Sequence, residues 1–456
     1  MCFAWWKATS RWAGSSHAFQ PCVDLRSVRH EIRQSSLPVP HCLTMNAAKG
    51  NFENPVEFVE AVPASHPRAP SASTVELSVQ PDPVGSSGSH AGLSSSSSHD
   101  SDPSVESSFD ASFEPSFEAL TGNREVRPVI IIGAGLAGLV AANALAAQGR
   151  RSIVLDKGRS VGGRLATRRM KGSGGVLARA DHGAQFFTVR SPDFAELVHD
   201  WRRAGIVREW CRGFSGGNDG YPRYCAEAGM NTIAKYLAAS LDVECNVHLR
   251  SLAGVDGLLS VATEDGQRWE SDTVIVTAPV QQSLDLCANG WLPIPEDVED
   301  ALKLVTYASC LALLVSFEGS ALLGEPGGLQ LTPQDDPVFS FVADNQIKGI
   351  SDVGALTLHV NDSVSAECYD LDDNATRAYL LAEAQRFLGS ATPIEVELKK
   401  WRYARPLTSH PDACVSVAPT EGTNLIFAGD AFGGAKVEGA ALSGLAAAQS
   451  ILERST

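Results

Sequence analysis

The sequence is short of the features that mark several large protein classes. It has no CxxC and no Cys/His cluster, and its ten cysteines (2, 22, 42, 211, 225, 245, 287, 310, 368 and 414) are scattered. That spacing excludes a zinc-binding module and a small disulfide scaffold, and reads as free thiols in a reducing compartment. Basic residues are also scarce, with 37 Lys and Arg against 53 Asp and Glu for a net charge of −16. A sequence-independent nucleic-acid binder needs cations to displace counterions from phosphate, so no nucleic-acid partner is expected. Only one long uncharged run is apolar enough to suggest a membrane span, at 128–149. Gly133, Gly135 and Gly138 interrupt it and its first residues are β-formers. It reads as a buried strand running into a helix, no membrane span is expected, and the protein is expected to be soluble. What is present is enough apolar material, 44% of 456 residues, for a sizeable core, which excludes a wholly disordered chain.

The average covers two unlike regions. Residues 1–50 hold six Lys/Arg and two acids, Asp24 and Glu31, whereas 51–125 hold twelve acids and two arginines, with a serine run at 94–98 and recurrent proline. Such composition cannot offset chain entropy by burial, so 1–126 is expected to be a disordered tail. Its basic start resembles an organelle transit peptide, which points to the chloroplast or mitochondrion. If Met45 is the true start, that signal disappears and the cytoplasm is expected. The tail closes on Phe109, Phe113 and Phe117, each preceded by Ser and followed by an acid, which reads as a flexible acidic linker or a short docking segment.

From residue 127 the texture becomes that of a folded α/β chain. Val129, Ile130, Ile131 and Ile132 suit a central parallel strand buried on both faces. Gly133-Ala134-Gly135-Leu136-Ala137-Gly138 is a complete GxGxxG. A helix over 136–148 follows, then a strand over 152–155 that ends in Asp156. The whole unit is about thirty residues, the length of a βαβ unit. Gly133 permits the turn, Gly135 lets a pyrophosphate approach the backbone, and Gly138 lets helix and sheet close together. The helix N-terminus offers free N–H groups to phosphate, and Asp156 can accept ribose hydroxyls.

Two further motifs separate FAD from a nicotinamide cofactor. Gly162-Gly163-Arg164 follows Asp156 and Lys157 closely. Near the C-terminus a buried strand over 425–427 leads to Gly429-Asp430, then Lys436, Glu438-Gly439-Ala440 and an Ala-rich helix. FAD is long, so one βαβ turn covers only its adenylate half. A second strand-to-helix junction suits the ribityl chain and the flavin, with Asp430 on hydroxyls or pyrophosphate and the helix N-terminus toward the flavin carbonyl.

With Asp181 and Gly183-Ala184-Gln185-Phe186-Phe187, Thr277-Ala278-Pro279 and the string Trp401-Arg402-Tyr403-Ala404-Arg405-Pro406, the region 127–456 resembles the flavin amine oxidase superfamily and, within it, the renalase group. The resemblance implies a discontinuous Rossmann-type FAD-binding domain (127–190, 228–282, 398–456) and an α+β substrate domain on a mixed or antiparallel sheet (191–227, 283–397). It implies non-covalent FAD and a small-molecule substrate. The reaction would be hydride transfer from a reduced nicotinamide isomer to flavin, with molecular oxygen as acceptor giving hydrogen peroxide. It carries Gly133, Gly135, Ala137, Gly138, Asp156, Lys157, Gly163, Arg164, Ala184, Gln185, Asp430, Glu438, Gly439 and Ala440 as cofactor residues. It also places Asn345 and His359 at the flavin, as residues that orient the donor. Phe186, Trp401, Tyr403 and Arg405 are substrate-pocket candidates. His182 departs from the pattern, standing where an apolar residue is expected. A flavin amine or carotenoid-type oxidase, or a non-catalytic binding protein on the same fold, are the alternatives.

In the middle of the chain, helices are expected over 192–204 and 229–240. Strands are expected over 243–249, 258–263, 272–278, 308–317 and 354–360. Trp201, Trp210, Trp269 and Trp401 suit core anchors better than flavin-stacking residues. Because 1–125 lacks a core-forming pattern, a chain starting near Arg124 should keep its flavin content and melting temperature. Loss of flavin from that truncation, measured by absorbance and thermal denaturation, would show that the tail is structural.

Overall fold

A computed structural model describes residues 127–214 and 220–454. The tail, with its expected disorder and targeting segment, and most of the glycine-rich loop at 213–220 lie outside the described residues. The chain begins with β1 (Val129–Ile132), α1 (Leu136–Ala147) and β2 (Ser152–Asp156), then the hairpin β3 (Thr167–Lys171) and β4 (Leu177–Asp181). Helix α2 (Pro192–Arg203), the pair β5 (Val207–Cys211) and β6 (Arg223–Ala226), and α3 (Asn231–Ala238) lead to β7 (Asp242–Cys245). A meander of β8 (Leu249–Val255), β9 (Leu258–Thr263) and β10 (Arg268–Ser271) precedes β11 (Thr273–Val276), α4 (Val280–Asn289) and α5 (Glu296–Lys303). Next come β12 (Tyr307–Glu318), β13 (Gly328–Gln330), β14 (Phe339–Asp344), β15 (Ala355–Val360), α6 (Asp362–Cys368) and α7 (Asp373–Leu388). The chain closes with β16 (Thr392–Pro406), β17 (Val415–Val417), β18 (Asn424–Phe427) and α8 (Val437–Arg454).

The first sheet has the order β17-β18-β11-β1-β2-β7 and is parallel except for β17. Its central strands β1, β11 and β18 are buried along their whole length, because helices cover one face and the β8–β10 meander with α4 and α5 covers the other. Helices α1 and α8 pack on each other through small residues. A Cβ built on Gly444 would stand 2.3 Å from the Ala137 carbonyl oxygen.

The second sheet has the order β13-β14-β15-β12-β16 and is antiparallel. Strand alternation divides β15 between two faces. Leu356, Leu358 and Val360 meet Leu380, Ala384 and Leu388 of α7 in one core. His359 points the other way, toward Phe341 on β14, its register partner.

Three sequence expectations change here. The strand expected over 243–249 is two strands, because Asn246 takes a left-handed backbone (φ 62°) after β7. The boundary at 397/398 falls inside β16, which pairs with β12 from Thr392 to Pro406 and so belongs wholly to the antiparallel sheet. Residues 283–305 belong with the parallel sheet, since Cys287, Leu292, Leu302 and Val305 enter its core. Among the described residues no helix is long and apolar enough to cross a membrane.

The close contact of α1 and α8 makes Gly444 a test of the fold. Gly444→Val should force the helices apart and cost about 1–3 kcal/mol, the usual range for overpacking. A lower urea midpoint with unchanged slope is the expected result.

Candidate active site

The carboxyl ends of β1, β2 and β11, the N-termini of α1 and α8, and one face of the antiparallel sheet border one continuous cleft of about 2280 Å³. Single small ligands occupy about 300–1,000 Å³, so this volume accommodates a dinucleotide and a second molecule together.

At the dinucleotide end Gly133 has φ +108°, a conformation that side chains rarely allow. A Cβ on Gly135 would meet nothing within 4 Å, so its backbone is open to the cleft. Helix α1 starts without a side-chain cap, leaving its first N–H groups to a ligand. The Asp156 carboxylate accepts the N–H of Ala134 and of Gly158, both at 2.6 Å. These bonds fix the glycine turn and leave further lone pairs for hydroxyls. Lys157 donates to Gln282 at 3.1 Å. This donor set fits the adenylate and pyrophosphate of FAD.

At the other junction Arg164 forms a two-point ion pair with Asp430, at 2.6 and 2.8 Å, and also donates to the Tyr403 carbonyl. Burial pushes the Asp430 carboxyl up, and the Arg164 charge opposes that shift. All the sequence-derived site residues line the cleft except three.

Gly138 and Gly439 are packing glycines with no place on the cleft wall. Their Cβ positions would stand 2.0 Å from the Gly133 carbonyl and 1.9 Å from the Gly434 carbonyl. Asn345 is the third. It is fully buried at the corner after β14, and its amide donates to Ala355 O and Thr357 Oγ1. It therefore braces β15 and does not line the cleft. Glu438 does line the cleft, but its carboxylate takes the N–H groups of Arg190 and Ser191 at the start of α2.

The remaining part of the cleft is an aromatic slot. Phe186 meets Phe214 at 5.2 Å and Phe341 at 5.9 Å. Tyr403 stands edge-on to Tyr307 at 5.4 Å. His182 stacks on Trp401 at 5.3 Å, and the Trp401 indole N–H donates to the His182 carbonyl. His359 Nε2 lies 3.4 Å from Gln185 Nε2. Burial pushes both imidazoles down to about 4, with Lys399 acting in the same sense on His182 and Lys348 on His359. Both rings are therefore neutral near pH 7. Among the described residues, Gln185 Oε1 and His182 Nδ1 have no hydrogen-bond partner.

The lining is cationic although the chain is acidic. Eleven Lys or Arg border the cleft against six Asp or Glu. Asp156, Asp430 and Glu438 are engaged as described, Asp362 pairs with Arg405 and Glu264 with Arg250. Arg190, Arg223, Ser340 and Phe341 were not singled out from sequence. Of these only Phe341, in an alternating apolar strand, carried a usable signal.

Because both histidines have folded pKa values below the ordinary 6.5, the unfolded chain binds protons first as pH falls. Stability should therefore decline from about pH 6.5 to about pH 4 and stop declining on their account below that. Melting temperatures across this window check the sign. In the cofactor turn, Gly135→Val fills the open position and should give folded protein without flavin; full flavin retention would displace the phosphate turn from this site.

Comparison with known proteins agrees with this geometry. The family model described as flavin containing amine oxidoreductase matches residues 193–452, and an NAD(P)-binding Rossmann-like domain model matches 131–201. Mouse renalase is 25% identical over 305 residues, covering 62% of this chain and 86% of that protein. A stretch of 60 residues is 52% identical to lysine-specific histone demethylase 1 homolog 1 of Arabidopsis thaliana, covering 13% of this chain and 7% of that protein. Two solved structures share the fold, each over 72% of this chain and 99% of theirs. One is described as "Putative protoporphyrinogen oxidase" from Exiguobacterium (TM-score 0.55, 14% identity), and the other is putrescine oxidase bound to putrescine (TM-score 0.52, 17% identity). The chain is an FAD-dependent oxidoreductase and belongs to the flavin-containing amine oxidoreductase family.

Proposed function

We propose that this chain, as in the renalase group it resembles, oxidises an isomer of reduced nicotinamide dinucleotide to the aromatic nicotinamide. FAD, which the glycine turn, Asp156, Arg164 and Asp430 would hold, would take up the donor's hydride and pass its two electrons to molecular oxygen, giving hydrogen peroxide. The observation that carries this reading is the charge of the cleft. Eleven Lys or Arg border the cleft against six Asp or Glu. Although Arg164, Arg250, Lys400, Arg402 and Arg405 are each paired with a carboxylate, the balance stays positive, which favours an anionic donor over a protonated amine.

Bound FAD supplies the two-electron acceptor. The protein supplies shape and orientation. Phe186, Phe341, Trp401 and Tyr403 line the slot with aromatic surface. Gln185 and the neutral His359 offer hydrogen-bond partners for a carboxamide. No strong base is needed, because loss of hydride leaves an aromatic ring with no proton to remove. Imidazoles held down to about 4 suit this role, since they are weak bases at neutral pH. An amine donor must lose a proton before oxidation, so its rate would climb steeply with pH.

The direct test is anaerobic mixing with reduced nicotinamide isomers and with amines while flavin bleaching is followed. Bleaching by a nicotinamide isomer is expected; bleaching by amines alone, with a steep pH dependence, would replace this reading with amine oxidation. His359→Ala should retain FAD, slow flavin reduction by about 10- to 100-fold and raise the apparent donor constant. The shape of its pH profile should match that of the parent.

A further inference from the structure

Resting on the proposed donor class, we propose that Lys348 is a positioning residue for the donor, acting from behind the cleft wall through Gln185 and Phe186. Lys348 is not part of that wall. Its side chain and that of Asp181 are both 0% exposed, and its ammonium stands 2.8 Å from Asp181 Oδ2. A second bond, 2.7 Å long, runs to the backbone carbonyl of Gln185. The face of Trp210 lies 4.9 Å from the same nitrogen, a cation–π distance. The segment that carries Lys348 is itself fixed, because Asp344 accepts the N–H groups of Gln346 and Ile347, and Arg208 holds the Lys348 carbonyl.

The consequence lies one residue away. Gln185 presents its amide to His359 at 3.4 Å, and also ties back to the Asp181 carbonyl at 2.7 Å. Phe186, the next residue, enters the aromatic slot. A buried ammonium needs its partners in place, since an unpaired buried charge is strongly unfavourable. The pair therefore permits one arrangement of the Asp181–Phe186 segment. Lys348 thereby sets where Gln185, His359 and Phe186 stand relative to one another, without touching the donor.

The test compares full-length Lys348→Met and the paired Lys348→Met/Asp181→Asn with the parent. The paired variant removes both charges and so leaves no buried ion unpaired if the single variant fails to fold. Three readouts are taken well below each melting temperature: FAD affinity, calorimetric binding of β-NAD+ as the product, and visible circular dichroism of the bound flavin. The expected result is FAD affinity within about 3-fold of the parent, β-NAD+ binding weakened about 10- to 100-fold, and an altered flavin dichroism. Parent-like β-NAD+ binding and dichroism in a folded variant, even one with a lowered melting temperature, would reduce Lys348 to a stability role and overturn the inference. The dichroism needs no donor. If the parent is not bleached by any nicotinamide isomer but the variants still change the dichroism, the donor class is wrong and the positioning role stands.

Discussion

The buried carboxylate of Asp181 is the interaction on which the arrangement of the two sheets depends. One oxygen accepts the Thr167 hydroxyl and the Met230 N–H, and the other meets Lys348. Its backbone carbonyl accepts the Gln185 amide and the Thr357 hydroxyl. The hairpin behind the cofactor, the start of α3, the cleft wall and strand β15 thus converge on one residue. A buried ion pair of this kind adds little net stability compared with a well-packed apolar pair, whereas removing one partner is costly. Its value is geometric, because few other arrangements satisfy all the groups at once.

That geometry explains how an acidic protein builds a cationic site. The chain carries −16 overall, yet five of the six acids at the cleft are held by backbone N–H groups or by arginine. Glu438 closes on the α2 start, Asp156 on the glycine turn, and Asp430 on Arg164. Cations left facing a low-dielectric cleft project their field into it. The two neutral histidines add hydrogen-bonding capacity without adding charge.

Much of this was legible in the sequence, and the rest was hidden for physical reasons. The parallel sheet announced itself because strands buried on both faces are continuously apolar, and because a phosphate turn needs glycine at fixed spacing. His359 came from the family resemblance alone; alternation along β15, which sends Leu356, Leu358 and Val360 into the core, accounts for the face it takes. Asn345, placed at the flavin by the same resemblance, does not line the cleft, because Ala355 and Thr357 draw its amide into the core. The hairpin β3–β4 was missed, since the Arg168, Arg169 and Lys171 stretch of β3 looks solvated until the ion pair of Arg168 with Glu397 is seen. Lys348 gave no local signal at all, because its partner lies 167 positions away.

If a cationic cleft draws an anionic donor to the flavin, their encounter must depend on ionic strength. Surface and cleft fields are screened within about 10 Å at 0.1 M salt. The bimolecular rate of flavin reduction by a reduced nicotinamide isomer should therefore fall steadily as salt is raised, while the limiting rate at saturating donor stays constant. A bimolecular rate that is flat or rises with salt would contradict the account.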